Sequence, residues 1–325
     1  MWRIKICSSL CCSGIAPGAG CLYVSPRAKW QLTPSAAPLG IFDGEGFVTA
    51  EFRERYRKAL KLLRVQPWLG SFEAELDALL DECNSDSEAD LIFSLLHRFC
   101  YLSSTDERGI LEAIASEIIG LGFAESDVQV VALAANDDPD SSQAVIYSLK
   151  PIFARRGWQP HRLVNRFSKA QQYVQQSRKI VLVDEFVGTG RTLVGRIEAM
   201  KRDFRANKKV VDAEFYSFSY AGMESAYDLL SRHEAVKKVW FSKALKRGIS
   251  DFEVDLGASS DLMLEIESRL SPRCGAFDLP NFGDGKCEAL YGREGGNCPN
   301  SVFPVFWWPE SASGLRRDTI LTRAM

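Results

Sequence analysis

Between Val48 and Gly122 apolar positions recur at three- and four-residue intervals in four successive segments: AEFRERYRKALKLL, SFEAELDALLDEC, EADLIFSLLHRFCYLSS and DERGILEAIASEIIGLG. That period predicts amphipathic helices. Ser71, Ser87 and Thr105 or Asp106 stand where N-caps belong, and Pro67 with Gly70 breaks the chain before the second segment. After Gly122 the pattern changes. Short apolar runs in DVQVVALAA, WQPHRLVNRF, KIVLVDEF, VVDAEFYSFSYAG and VKKVWFSKALKRG alternate with helical stretches, which predicts parallel strands joined by crossovers. Ile180 to Val183 is apolar at every position, so KIVLVDEF is expected at the centre of the sheet with both faces covered. The predicted fold class is α/β, a doubly wound and mostly parallel sheet with an N-terminal helical module and an irregular, aromatic C-terminal extension.

The expected divisions are residues 1–40, 41–122 (helical module), 123–272 (α/β core) and 273–325 (extension). The first of these carries neither periodicity nor caps. Its Cys, Ser, Gly and Pro content, with an apolar run broken by Ser and Gly, predicts a disordered leader, or an upstream in-frame extension outside the folded unit, rather than a secretion signal. Four of the nine cysteines crowd its first 21 residues; Cys274, Cys287 and Cys298 are widely spaced, and His97, His161 and His233 do not cluster with them. Free thiols in a reducing cytoplasm are the expectation. No window approaches the roughly eighteen uninterrupted apolar residues of a membrane span. The formal net charge of -2 supplies no field that favours nucleic acid or an anionic membrane. Any anion site must be local.

The chemistry concentrates in IVLVDEFVGTGRTLVG, Ile180 to Gly195. A strand here ends in two acids, and a Gly/Thr loop opens the next helix. Backbone N–H groups of Val187, Gly188, Thr189, Gly190, Arg191 and Thr192, at the positive end of that helix, favour a phosphate. The hydroxyls of Thr189 and Thr192 can donate to it, and Gly188 and Gly190 allow positive φ and close approach. Asp184 and Glu185 accept from vicinal hydroxyls or hold a hydrated Mg²⁺. Phosphate plus diol describes ribose 5-phosphate. A nucleotide-binding P-loop would need Lys after Gly190, where Arg191 stands, and the dinucleotide fingerprint would need Gly in place of Leu193.

VLVDEFVGTGRT, Val181 to Thr192, resembles the phosphoribosyl diphosphate (PRPP) signature of type I phosphoribosyltransferases. The resemblance implies that Asp184 and Glu185 hold the ribose hydroxyls and Gly188 to Thr192 the 5-phosphate, with Mg²⁺ as cofactor. From Phe52 to Trp308 the chain is similar to a narrower group, PRTase-CE-like proteins with a C-terminal extension found in predicted bacterial defence systems; PWLGSFEAELDALL, LLHRFCYLSS and the tail FGDGKCEAL to NCPNSVFPVFWW carry the likeness. A small phosphoribosyl ligand and a protein partner from the same system are what that implies.

A transferase also needs a loop for pyrophosphate after its first strand. That position reads AANDDPDSSQA. Asp137, Asp138 and Asp140 repel pyrophosphate unless Mg²⁺ lies between, while Ser141 and Ser142 can donate from the helix start. The same acids also suit an ordinary helix N-terminus. Lys169, Arg178 and Lys179, in FSKAQQYVQQSRK, are candidates for a basic loop over the leaving group, or a solvated helix face. Arg191 either contacts phosphate or pairs outward. Phe303, Phe306, Trp307 and Trp308 are expected in core or interface. Two functions remain, Mg²⁺-dependent phosphoribosyl transfer and ligand sensing without turnover.

Overall fold

A computed structural model describes residues 50–134, 140–207, 212–252 and 255–324. Contacts divide the chain after Phe47, and the described residues all fall in the unit that begins at Val48. The expected leader and the acids Asp137 and Asp138 lie outside the described residues.

Helices α1 (Ala50–Val65), α2 (Glu73–Asp81) and α3 (Asp86–His97) follow the predicted periodicity. The third ends sooner than its sequence pattern suggests. Cys100–Leu102 forms a short strand, β1, in parallel register with Tyr291–Arg293 of the tail. Ser103 then caps α4 (Ser104–Ile119) in a reciprocal box with Asp106. The N-caps of α3 and α4 are Ser85 and Ser103, not Ser87 and Thr105 or Asp106, and α2 begins after Phe72 with no side-chain cap.

The five predicted strands form one sheet: β2 (Val128–Ala132), β3 (Arg162–Val164), β4 (Lys179–Val187), β5 (Glu214–Met223) and β6 (Val236–Leu245), in the order β3-β2-β4-β5-β6. Every pairing is parallel. Ile180 to Val183 is buried on both faces, as an all-apolar central strand requires. The crossovers carry α5 (Ser141–Arg155), α6 (Arg191–Ala206) and α7 (Glu224–Ser231), and α8 (Leu256–Ser268) follows β6. From β2 the chain steps outward to β3, then returns across β2 to add β4. Between the carboxyl ends of β2 and β4 lies the switch point where open α/β sheets hold their ligands.

The tail contains a two-residue hairpin, β7 (Arg273–Cys274) with β8 (Phe277–Asp278), and the strand β9 (Tyr291–Arg293) that pairs with β1. Phe303, Phe306, Trp307 and Trp308 are all buried, and Phe306 meets Phe99 edge-on at 5.5 Å. These aromatics are core, as expected. Arg317 ties the tail down by donating to the carbonyls of Val305 and Trp308 at 3.1 and 2.6 Å while pairing with Glu82 at 2.5 Å.

Glu267 of α8 is fully buried and accepts from the Phe282 N–H at 3.0 Å. Burial, with the Glu288 carboxylate adding to it, pushes its carboxyl up to about 8. A carboxyl whose folded value is raised holds its proton more tightly when folded, so its stability contribution is complete below the ordinary value of about 4.3 and is lost as pH rises through about 8. Between about pH 6 and about pH 9 the protein is expected to lose about 2–4 kcal/mol from this group, at about 1.4 kcal/mol per pH unit. Denaturant titrations across that range check it: Glu267→Gln should flatten the slope, and an unchanged slope would contradict the assignment.

Candidate functional site

The segment from Asp184 to Thr192 occupies the switch point. The two acids stand at neighbouring positions near the end of β4, and both line the cleft. Asp184 remains partly open to the cleft. Glu185 is buried, and its carboxylate accepts from Arg293 of β9 at 3.0 Å and from the Tyr291 hydroxyl at 3.4 Å. Arg293 also reaches Glu107 of α4 at 3.2 Å, and Tyr220 of β5 donates to Glu107 at 3.0 Å. Helical segment, sheet and tail therefore meet around one guanidinium. Glu185 is held in that junction while still lining the cleft with Asp184.

Burial first, and then the nearby Asp140 carboxylate, pushes the Asp184 carboxyl up to about 8. Asp140 caps α5 by accepting from the Ser142 N–H at 2.8 Å and from the Ser142 hydroxyl. Ser142 is buried and spent on that cap, whereas Ser141 faces the cleft.

After β4 the loop turns into α6 through Gly190, whose φ of 75° is a left-handed conformation that glycine adopts at little cost. No side chain caps the helix, so the N–H groups of Thr192 and Leu193 open onto the loop without a capping partner. The Thr189 hydroxyl accepts from the Arg191 N–H at 3.3 Å and keeps its own proton to donate. These groups bound a cavity of about 180 Å³, together with Asp184, Val187, Gly188, Gly190 and Thr192. Arg191 is exposed and does not line it. Uncapped donors at the positive end of a helix can bind an anion.

The roof comes from the tail. Asp284, Pro299, Asn300 and Ser301 complete this cavity. A Cβ added to Gly188 would overlap the Ser301 hydroxyl, and one on Gly285 would run into the Thr189 methyl. A second cavity of about 450 Å³ adjoins the first through shared walls at Asp184, Phe186 and Pro299; Asp140, Ser141, Glu185, Arg293, Asn297 and Arg323 also line it. Sequence reasoning missed all of these tail residues.

The basic-loop candidates lie elsewhere. Lys179 starts β4 and pairs with Glu214, roughly 25 Å from the loop at about 3.3 Å per strand residue. Arg178 precedes it, and Lys169 is exposed and lines neither cavity.

The model of one protein family, PRTase-CE, matches residues 65–318. The chain belongs to the PRTase-CE family. No curated protein matches this PRTase-CE chain. Among solved structures it is similar to a hypoxanthine-guanine phosphoribosyltransferase from Leishmania tarentolae in complex with GMP, at 13% identity over 45% of this chain and 81% of that one, TM-score 0.33. An orotate phosphoribosyltransferase from Aeropyrum pernix is similar at 18% identity over 42% and 69%, TM-score 0.26. A hypothetical protein from Neisseria gonorrhoeae with bound ppGpp is similar at 9% over 50% and 96%, TM-score 0.29. The match to the PRTase-CE model spans helical segment, sheet and tail alike, the three parts that meet at Arg293.

Proposed function

We propose that the cleft binds the ribose 5-phosphate part of PRPP or of a related phosphoribosyl ligand. The observation that carries this reading is the uncapped start of α6, opening onto a cavity of about 180 Å³ with Asp184 on its wall. The phosphate sits against the Gly188–Thr192 loop, and Asp184 accepts from the sugar hydroxyls.

Mg²⁺ fits the residues present in one arrangement. Asp184 and Asp140 are close enough to repel, and these two carboxylates would hold the ion, which would relieve that repulsion. Among the described residues no three or more acid, histidine or cysteine side chains converge on a metal position. When bound, the ion supplies charge neutralisation to a diphosphate group.

The PRTase-CE chain then either transfers the phosphoribosyl group or senses it. The tail packed on the loop, with Ser301 against Gly188, favours sensing, since the ligand and the tail share a wall and occupancy is read directly by the extension. A role in a bacterial defence system, a partner protein from that system and a cytoplasmic setting rest on the sequence resemblance. No helix among the described residues is long and apolar enough to cross a membrane.

Calorimetry with PRPP and with ribose 5-phosphate, each with and without Mg²⁺, tests the reading. Asp184→Asn is expected to weaken PRPP binding by about 1.5–3 kcal/mol, the worth of a hydrogen bond to a charged group. Because the Asp184 carboxyl is pushed up to about 8 and a metal takes the carboxylate form, Mg²⁺-assisted affinity should rise as pH increases toward about 8. Equal PRPP affinity in Asp184→Asn and the parent would refute the site.

A further inference from the structure

Seven residues of the tail, Phe282 to Glu288, form a strap closed at its neck by the Glu288 N–H, which donates to the Phe282 carbonyl at 2.8 Å. Both neck residues are buried in a left-handed backbone conformation, with φ of 61° and 51°. Buried carboxylates hold them there: Glu267 accepts from the Phe282 N–H at 3.0 Å, and Glu288 accepts from the N–H groups of Ile249 and Ser250 at 2.8 and 2.7 Å. Strained backbone persists where its surroundings over-determine it in this way. The tip differs. Asp284, Gly285 and Lys286 are exposed, and Lys286 also has a positive φ, of 55°. Among the described residues, one hydrogen bond ties the tip to anything outside the strap, from the Asp284 N–H to the Asn300 carbonyl at 2.8 Å. Gly285 rests on the Thr189 methyl, and Asp284 lines the loop cavity together with Asp184.

We propose that this strap is an autoinhibitory gate: with its tip down, Asp284 repels phosphate from the start of α6, and a ligand binds by lifting the tip about the fixed neck. The proposal rests on the reading of the Gly188–Thr192 loop as a phosphate site and adds a regulated cost to filling it. An anion at that loop meets the carboxylates of Asp184 and Asp284, with Asp140 and Glu185 in the adjoining cavity. The cations of the adjoining cavity are already engaged. Arg293 pairs with Glu107 and Glu185, and Arg323 feels the Asp284 charge itself. The closed loop cavity, about 180 Å³, is also smaller than the roughly 300–1,000 Å³ of pockets that enclose small ligands. Raising the tip removes a charge and a wall together. Observed affinity is then the intrinsic affinity reduced by the fraction of molecules with the tip up, so weakening the closed position tightens binding. A residue that served only to hold the ligand would act with the opposite sign.

The test titrates the full chain, free of divalent cations, with inorganic phosphate and with ribose 5-phosphate, and follows amide hydrogen exchange alongside. Asp284→Asn should tighten both probes by about tenfold, the scale of a like charge removed a few ångströms from an anion, while Asp284→Glu keeps the charge and should stay within about twofold of the parent. Saturating ribose 5-phosphate should speed exchange of the Asp284 N–H, whose bond to Asn300 breaks as the tip lifts, and leave the Phe282 and Glu288 N–H groups protected. Equal or weaker binding in Asp284→Asn overturns the gate and leaves the loop reading in place. Slower exchange at Asp284 in the complex overturns it too, since that marks a lid closing on its ligand. If Asp284→Asn tightens inorganic phosphate and ribose 5-phosphate binds no better than phosphate, the sugar reading fails and the gate stands. If neither probe binds the parent or Asp284→Asn, the loop site and its gate fall together.

Discussion

Arg293→Met is expected to destabilise the folded protein by about 3–5 kcal/mol, the cost of stripping a buried charge of its partner. The guanidinium holds Glu185 at 3.0 Å and Glu107 at 3.2 Å, and the Glu185 side chain is only 3% exposed. Without the cation, two carboxylates remain under the tail, with the hydroxyls of Tyr291 and Tyr220 as their remaining donors. Methionine conserves apolar volume, so the loss reports charge rather than a cavity. Glu185→Gln in the same chain should recover part of it, because one of the stranded charges is gone. Denaturant unfolding measures both, and a change below about 1 kcal/mol in Arg293→Met would show the junction to be weak.

The second large effect is at Gly283. Its φ of 76° with ψ of 163° is a conformation that only glycine adopts readily, and a Cβ there would overlap the Ser301 carbonyl, a backbone group with no side-chain freedom to yield. Gly283→Ala should cost about 3–5 kcal/mol, strain and overpacking together. Gly122→Ala is the control. Gly122 also has a positive φ, of 69°, but open space around it, so about 1–2 kcal/mol of backbone strain is all that is expected. Equal melting temperatures for the two variants would mean that the seat of Gly283 on Ser301 contributes nothing. The cavity beneath the tail should open in Gly283→Ala as well, since Ser301 is part of its wall.

The sheet was legible because its signals are local. Ile180 to Val183 reads as a doubly covered strand, and the Gly/Thr run after it reads as a turn into a helix. Both hold. The helix caps were misplaced by one to three residues because Ser85 and Ser87, or Ser103 and Thr105, offer nearly the same hydroxyl chemistry. Strand β1 was read as helix because Cys100–Leu102 is too short to show a period of two, and its partner lies far along the chain. Asp184 and Glu185 both line the larger cavity, but nothing local in the sequence marks Glu185 as the partner of Arg293. Nothing local marks Asn297, Ser301 or Arg323 as parts of the cleft. The tail chemistry is that of a loop, and only three-dimensional packing brings it to the carboxyl end of β4.

The pairing of β1 with β9 also sets a clock on synthesis. Cys100 meets Tyr291, a partner made about 190 residues later. At about 5–20 residues per second, an emerging chain waits roughly ten to forty seconds before that strand finds its mate. Through that interval the edge formed by Cys100–Leu102 is open and Glu107 lacks its cation. Pairings this far apart also fold slowly, because a long loop must close before any contact rewards it. The nascent protein therefore passes through a stage in which the sheet can stand while its cleft has no roof.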